Sequence, residues 1–355
     1  MKINNPFLSL QRVSATSKIF LLQNLAVMVK AGLPLAEALN TLAEQTGNKK
    51  LKNILNNVCA KVSEGRTFGE SLGDYEHDFG ELFVNMIKAG EASGQLEEVL
   101  HQLHIQTKKD HELMTKIRNA LTYPTIIVLA IIGIGAFMVI FVLPNITSLF
   151  TELDVELPLA TKIMIFVSNS LQQQGLIILI VLAAILAVFI KAVRTPGGHG
   201  FFSALTLKIP VLSSIIKKIN LARIARNLSS LIKTDIAIVE TLNITSRIIG
   251  NPQYRKALVE TAEKVKKGGK MADSLKNYPH IFPPIIIQMI SVGEETGALD
   301  EILENLASFY EEDVSQTMET LPTIIEPILM LFIGAVVAGV ALAILMPMYS
   351  LTENF

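Results

Sequence analysis

Three groups of residues in this 355-residue chain have types and spacings that bear on chemistry. Glu98 and His101 form a Glu-x-x-His pair, with His104 and His111 further along the same stretch. Residues three or four apart share a helix face, and such a pair holds metal when two helices present it to each other. His77 and His280 each sit inside Tyr-x-His-x-Phe, a setting for a packed loop or for pH sensing and ligand binding. The pattern Gly-Glu-x-Ser/Thr-Gly-x-Leu occurs twice, as Gly90, Glu91, Ser93, Gly94, Leu96 and as Gly293, Glu294, Thr296, Gly297, Leu299. Its glycines allow positive φ between two helices. Ser93 and Thr296 are suited to capping the helix that follows. Glu91 and Glu294 either accept backbone N–H groups at the turn or present a carboxylate to a partner. The pattern is no phosphate cradle, because the Walker spacing and its Lys-Ser/Thr are missing.

The two turns lie 203 residues apart (293 − 90), and the same shift runs without a gap through most of the chain. It carries Asn24-Leu25 onto Asn227-Leu228, Gly47-Asn48 onto Gly250-Asn251 and Ser71-Leu72 onto Ser274-Leu275. It carries Tyr75, His77 and Phe79 onto Tyr278, His280 and Phe282, and Pro124 and Pro144 onto Pro327 and Pro347. The architecture is therefore one polar unit plus one apolar segment, made twice. The repeat also removes the metal reading, since His101 becomes Glu304 and His104 becomes Ala307. The chain has no strand-borne serine elbow, no Cys-His pair and no cleft of clustered carboxylates, so no enzyme is indicated and no cofactor is implied. Its single cysteine, Cys59, excludes an internal disulfide framework and reads as a small buried hydrophobe. A net charge of −1, with no basic arm, gives nucleic acid nothing to attract it.

Half the residues are hydrophobic, 18% are charged, and mean hydropathy is +0.44. Three uncharged apolar segments, 125–143, 175–190 and 328–346, account for this balance. The first and third approach the roughly 20 residues that a bilayer requires, and the second recruits its flanks. Met1 to Ser17 has no apolar core of signal-peptide length. Residues 1–120 hold 14 Lys and Arg, residues 191–320 hold 16, and residues 144–170 hold only Lys162. The positive-inside rule places the first two regions in the cytoplasm and the loop and C-terminus outside. The spans carry no ionisable residue of the kind expected in a coupled transporter. Gly133, Gly135, Gly334 and Gly339, with Ala335, Ala338 and Ala341, offer faces for close packing or self-association.

The predicted fold class is all-α: a polytopic membrane protein with two duplicated cytoplasmic helical bundles and three transmembrane helices. The expected order is an N-terminal segment at 1–16, a first bundle at 17–120, a span at 121–143 and a short extracytoplasmic loop at 144–170. A second span at 171–193, a second bundle at 194–323, a third span at 324–347 and an extracytoplasmic tail at 348–355 follow. Within the first bundle, helical spacing from Phe20 stops at Gly32, and Pro34 opens a second helix. A third helix covers 51–62 and ends at Gly65, a left-handed cap. Thr67 and Glu70 form a capping box. A helix at 79–88 precedes the turn of Gly90 to Gly94. From Leu96 to Leu121 there is neither Gly nor Pro, so one helix is expected to run from bundle into membrane. Pro124 and Pro327 then kink the helices at their membrane entrances, setting a fixed angle or serving as hinges.

Two such units with their glutamate turns, Pro124 after Tyr123, Pro327 after Glu326, and Pro144 and Pro347 at the exits resemble the type II secretion protein F family. That family includes the inner-membrane platform protein of type IV pili. The resemblance covers about residues 17–350, although the region before the first unit is shorter than in many members. It implies a non-enzymatic platform of the bacterial inner membrane that contacts a hexameric cytoplasmic ATPase and other inner-membrane assembly proteins. It further implies that the platform helps extract pilins or pseudopilins. The alternatives are a subunit of a transporter or channel, and a membrane scaffold that regulates an enzyme.

Overall fold

The computed structural model describes residues 13–142, residues 210–353 and a few isolated positions between Phe166 and Thr195. Every described element is helical. Apart from Phe166, which is helical, the expected loop at 144–170 lies outside the described residues, as do Pro144 and most of the second span. The isolated described positions Gln174, Ile177, Ile180, Val181, Ala184, Ile185, Val188 and Lys191 are helical.

The first repeat comprises α1 (Ala15–Lys30), α2 (Leu35–Gln45), α3 (Lys49–Ser63), α4 (Phe68–Gly73), α5 (Glu76–Phe79), α6 (Glu81–Ser93) and α7 (Leu96–Phe137), with a π-helical turn at Met138–Val142. The second comprises α8 (Pro210–Ile232), α9 (Ile238–Ile248), α10 (Pro252–Lys266), α11 (Met271–Leu275), α12 (Pro284–Thr296) and α13 (Leu299–Glu353). Helices α2, α3 and α6 begin and end 203 residues before α9, α10 and α12, and α7 begins 203 before α13. Local sequence fixes these bounds. Asn48 and Asn251 cap the starts of α3 and α10, accepting from the amides of Leu51 and Gln253 at 3.0 and 2.9 Å. One element is not repeated: α5 has no helical counterpart at 279–282. Pro283 follows that segment, and the residue before a proline is pushed out of the α region.

The chain divides into two compact units, a polar one drawn from the described residues of Met1–Thr115 and Ser203–Ser315, and a second drawn from Lys116–Phe202 and Gln316–Phe355. Both repeats thus contribute their bundles to one polar unit. Its first core gathers Leu22, Leu25, Leu39, Leu42, Leu51, Leu55, Phe68 and Leu72, each at most 1% exposed. Burying a side chain of this size is worth roughly 1.5–3 kcal/mol. The second core repeats the pattern with Ala225, Thr245 and Met271 where the first has Leu22, Leu42 and Phe68, and with Tyr254 where it has Leu51. The buried Tyr254 hydroxyl donates to the Ile281 carbonyl at 3.1 Å, and its ring meets Phe282 edge-on at 5.4 Å. Burial pushes the Tyr254 phenol well above its ordinary value, so it stays neutral and donating.

Two helices are long and apolar enough to cross a membrane, Leu96–Phe137 and Leu299–Gly339. Ile126, Leu129, Ile132, Ile328 and Leu331 are exposed along them, as an apolar environment requires. Helix α7 continues through Pro124, and α13 continues through Pro322, Pro327 and Pro347. Beyond Pro347, the expected exit of the third span, α13 runs on to Glu353.

Candidate functional site

The glycines of each repeated turn allow positive φ between two helices. The structure divides the work differently. Gly90 and Glu91 belong to the last turn of α6, and only Gly94 is left-handed, at φ 73°, matched by Gly297 at 75°. The Gln95 amide donates to the Gly90 carbonyl at 2.8 Å and the Gly94 amide to that of Glu91 at 3.3 Å, the paired bonds of a Schellman stop. Gly90 serves another purpose. A Cβ there would lie 2.5 Å from Val99 Cγ2, so its missing side chain lets α7 approach α6. Gly293 plays the same part more loosely, with Leu299 Cα at 3.1 Å from the added atom. Leu299 is buried and Leu96 half-buried where the next helix starts.

Ser93 and Thr296 do not cap the following helices. The Ser93 hydroxyl donates back to the Ala89 carbonyl at 2.9 Å and that of Thr296 to Val292 at 2.8 Å. This i−4 bond is always within reach of a hydroxyl in a helix.

The two glutamates face inward. Glu91 accepts from the amides of Phe68 and Gly69, both at 2.7 Å. Glu294 accepts from Met271 and Ala272 at 2.6 and 3.0 Å. Each carboxylate thus brackets the start of a short helix, α4 or α11, whose first amides have no partner within the helix. Negative charge at a helix N-terminus is favoured by the dipole as well. The capping box supplies a further bond in the first repeat, from the Glu70 amide to Thr67 Oγ1 at 3.2 Å. Sequence spacing alone could not find the bracket, since its partners lie more than 20 residues apart.

The histidines are not brought together. His77 and His280 are exposed, while Phe79 and Phe282 beside them are buried. His101 is exposed, and Glu98 accepts instead from Gln102 Nε2 at 2.9 Å. Cys59 is half-buried, its thiol 3.2 Å from the Ala36 carbonyl.

A second set of polar contacts joins the repeats. Gln106 of α7 donates to Asn227 Oδ1 at 2.6 Å and accepts from the Ser230 hydroxyl at 2.9 Å, all three buried. Arg247 of α9 pairs with Glu81 at the start of α6. Within the second repeat, buried Arg226 reaches Glu311 through two bonds of 2.8 and 2.9 Å and Glu304 through one of 3.0 Å. Burial pulls the guanidinium down, but the two carboxylates outweigh it and hold the charge firmly. The sequence did contain a signal for this network, Arg223 and Arg226 three residues apart within the helical spacing of Leu221, Ile224, Leu228 and Leu231. Beside it a cleft of about 390 Å³ opens between the repeats, lined by Lys18, Glu81, Asp110, His111 and Arg223. Burial lowers the pKa of Lys18, whose ammonium donates to the Phe79 carbonyl at 3.2 Å.

In the spans, a Cβ added at Gly133, Gly135, Gly334 or Gly339 would meet nothing within 4 Å. Among the described residues these small faces are open. Glu326 and Pro327 lie inside the continuous α13.

The comparison with known proteins follows the same 203-residue stride. The family described as Type II secretion system (T2SS), protein F, matches the chain twice, over residues 21–144 and 224–347. The type IV pilus assembly protein PilC of Thermus thermophilus is 34% identical over 329 residues, 93% of this chain and 81% of that protein. PilC of Myxococcus xanthus is 33% identical over 326 residues, 92% and 78% of the two chains. The type II secretion system protein F of Pseudomonas aeruginosa is 32% identical over 341 residues, 96% and 84%. A doubled family match whose copies coincide with the doubled bundles makes this chain a member of the type II secretion system protein F family.

Proposed function

We propose that the chain is the inner-membrane platform of a type IV pilus or type II secretion machine. In this reading it couples a hexameric cytoplasmic assembly ATPase to the extraction and polymerisation of pilins or pseudopilins. It acts as a mechanical part, without catalysis, beside other inner-membrane assembly proteins. Its N-terminus lies in the cytoplasm and its C-terminus outside, as the distribution of Lys and Arg requires. The observation that carries the reading is the continuity of α7 and α13, each of which starts at a glutamate turn in the polar unit and ends in an apolar stretch. At 1.5 Å per residue, α7 is about 63 Å long. A push delivered to its polar end reaches the apolar end without a loop to absorb it.

Deletion of the gene, read by electron microscopy for filaments and by assay of secreted protein, tests the role. Loss of filaments alone assigns a pilus, and loss of secretion alone assigns a type II system. Complementation with a four-glycine insertion after Arg118 tests the coupling. The expected result is a membrane-inserted protein at normal levels that restores neither process. Restoration by that variant would remove the mechanical reading, and an unaffected deletion strain would remove the platform reading.

A further inference from the structure

The repeats join through faces that each of them possesses. Helices α6 and α7 of the first repeat receive α8 and α9 of the second. Leu231 and Ile244 enter the first core, Arg247 meets Glu81, and Gln106 is held by Asn227 and Ser230. Leu82 lines the same junction with Ile248 and Ile249. A shift of 203 residues carries the receiving residues Leu82 and Gln106 onto Ile285 and Phe309. It carries the entering residues Asn227 and Ser230 onto Asn24 and Val27. Among the described residues these shifted faces have no partner. Phe309 is 60% exposed, Ile285 55% and Val27 63%.

The chemistry of the vacant pair differs from that of the filled one in a consistent way. Gln106 and Ser230, a polar pair, are replaced by Phe309 and Val27, an apolar pair. Both members change together, while Asn227 is kept as Asn24, whose amide donates to the Phe20 carbonyl of its own helix at 2.8 Å. The exposed Phe309 ring meets Tyr310 edge-on at 5.2 Å. The ion pair of Arg247 and Glu81 becomes Glu44 and Pro284, which removes an attraction and sets no like charges opposite each other.

We propose that a second copy of this chain docks head to tail, with Phe309 of one copy seated on Val27 and α1 of the next. The contact repeats between chains the junction already present within each chain. It is heterologous, so it closes into a ring when its rotation permits. A common membrane confines that rotation to the membrane normal and so favours closure. The inference does not depend on which machine the protein serves.

Short-range cross-linking in native membranes tests it. Two differently tagged copies of the full chain are co-expressed, both carrying Cys59→Ser, one with Phe309→Cys and the other with Val27→Cys. A short bis-maleimide is expected to join them. Pairs of Phe309→Cys with itself, or of Val27→Cys with itself, are expected to remain unjoined. Cross-linking of Phe309→Cys to itself at equal yield would show a two-fold contact and overturn the proposal. So would absence of the mixed product, whether both cysteines label with a monofunctional maleimide or are shielded by another protein. As an independent check, Phe309→Asp is expected to reduce the detergent-solubilised assembly to monomer by light scattering, with helical content unchanged. An unaltered assembly size would also overturn it.

Discussion

Val99 occupies the space that a side chain on Gly90 would take: its Cγ2 and Cβ would stand 2.5 and 2.8 Å from an added Cβ. Helices α6 and α7 are thereby held at backbone distance in the first turn of α7. Gly90→Ala is expected to destabilise the polar unit by about 1–3 kcal/mol through overpacking. Gly293→Ala should cost less, because its nearest neighbours lie at 3.1–3.3 Å. Thermal unfolding by circular dichroism of the solubilised chain measures both. Val99→Ala should relieve part of the Gly90→Ala penalty, and strictly additive losses would refute the contact as its cause.

Glu91→Gln and Glu294→Gln each leave one amide at the start of a short helix facing an NH₂ group. A hydrogen bond to a charged group is worth about 1.5–3 kcal/mol, and a loss of that order is expected in each variant. The same melting experiment serves. Unchanged midpoints together with weakened binding of the assembly ATPase would move these carboxylates to a partner surface instead.

Much of this was legible from sequence because it is local or periodic. The helix stops at Gly32 and Gly65, the capping box at Thr67 and the 203-residue stride all lie within one turn or one alignment. The role of Gly90 was not legible. A glycine at a helix end suggests positive φ, whereas here the demand comes from Val99 on the next helix. The brackets at Glu91 and Glu294 and the burial of Gln106 were hidden for the same reason: their partners are distant in sequence and are set by packing. The Ser93 hydroxyl failed its predicted cap because its own helix continues to that residue and offers a carbonyl first.

Asp235 stands where the first repeat has Gly32, and it adopts the same left-handed conformation, φ 58° against 80°. The stop around it is complete, with the Ile236 amide on Leu231 at 3.2 Å and that of Asp235 on Ile232 at 3.0 Å. L-residues are strained there by roughly 1–2 kcal/mol, aspartate less than most. Asp235→Gly is expected to raise stability by about 0.5–1 kcal/mol, less any loss of the 3.4 Å contact from Gln95. A fall in melting temperature would show that this contact outweighs the strain.

Glu304 should make stability depend on acid. Partial burial raises its pKa, but hydrogen bonds from Lys233 and Arg226 outweigh this and hold it below its ordinary 4.5. A carboxyl depressed by folding stabilises fully above its unfolded value, and that contribution disappears as pH falls through the lower folded value. The melting difference between wild type and Glu304→Gln is therefore expected to be largest near neutrality and to shrink below about pH 4.5. A difference that stays constant down to pH 3 would exclude this origin.

The matched bounds of α2 and α9, α3 and α10, and α6 and α12 make the two halves interchangeable parts. A graft of 35–96 in place of 238–299 begins and ends on the same turn of the same helix, with no residue to add or trim. Some of its side chains would meet foreign neighbours, such as Glu44 arriving where Arg247 had met Glu81. A duplicated gene that keeps such equal lengths can exchange segments by recombination and still encode a foldable chain.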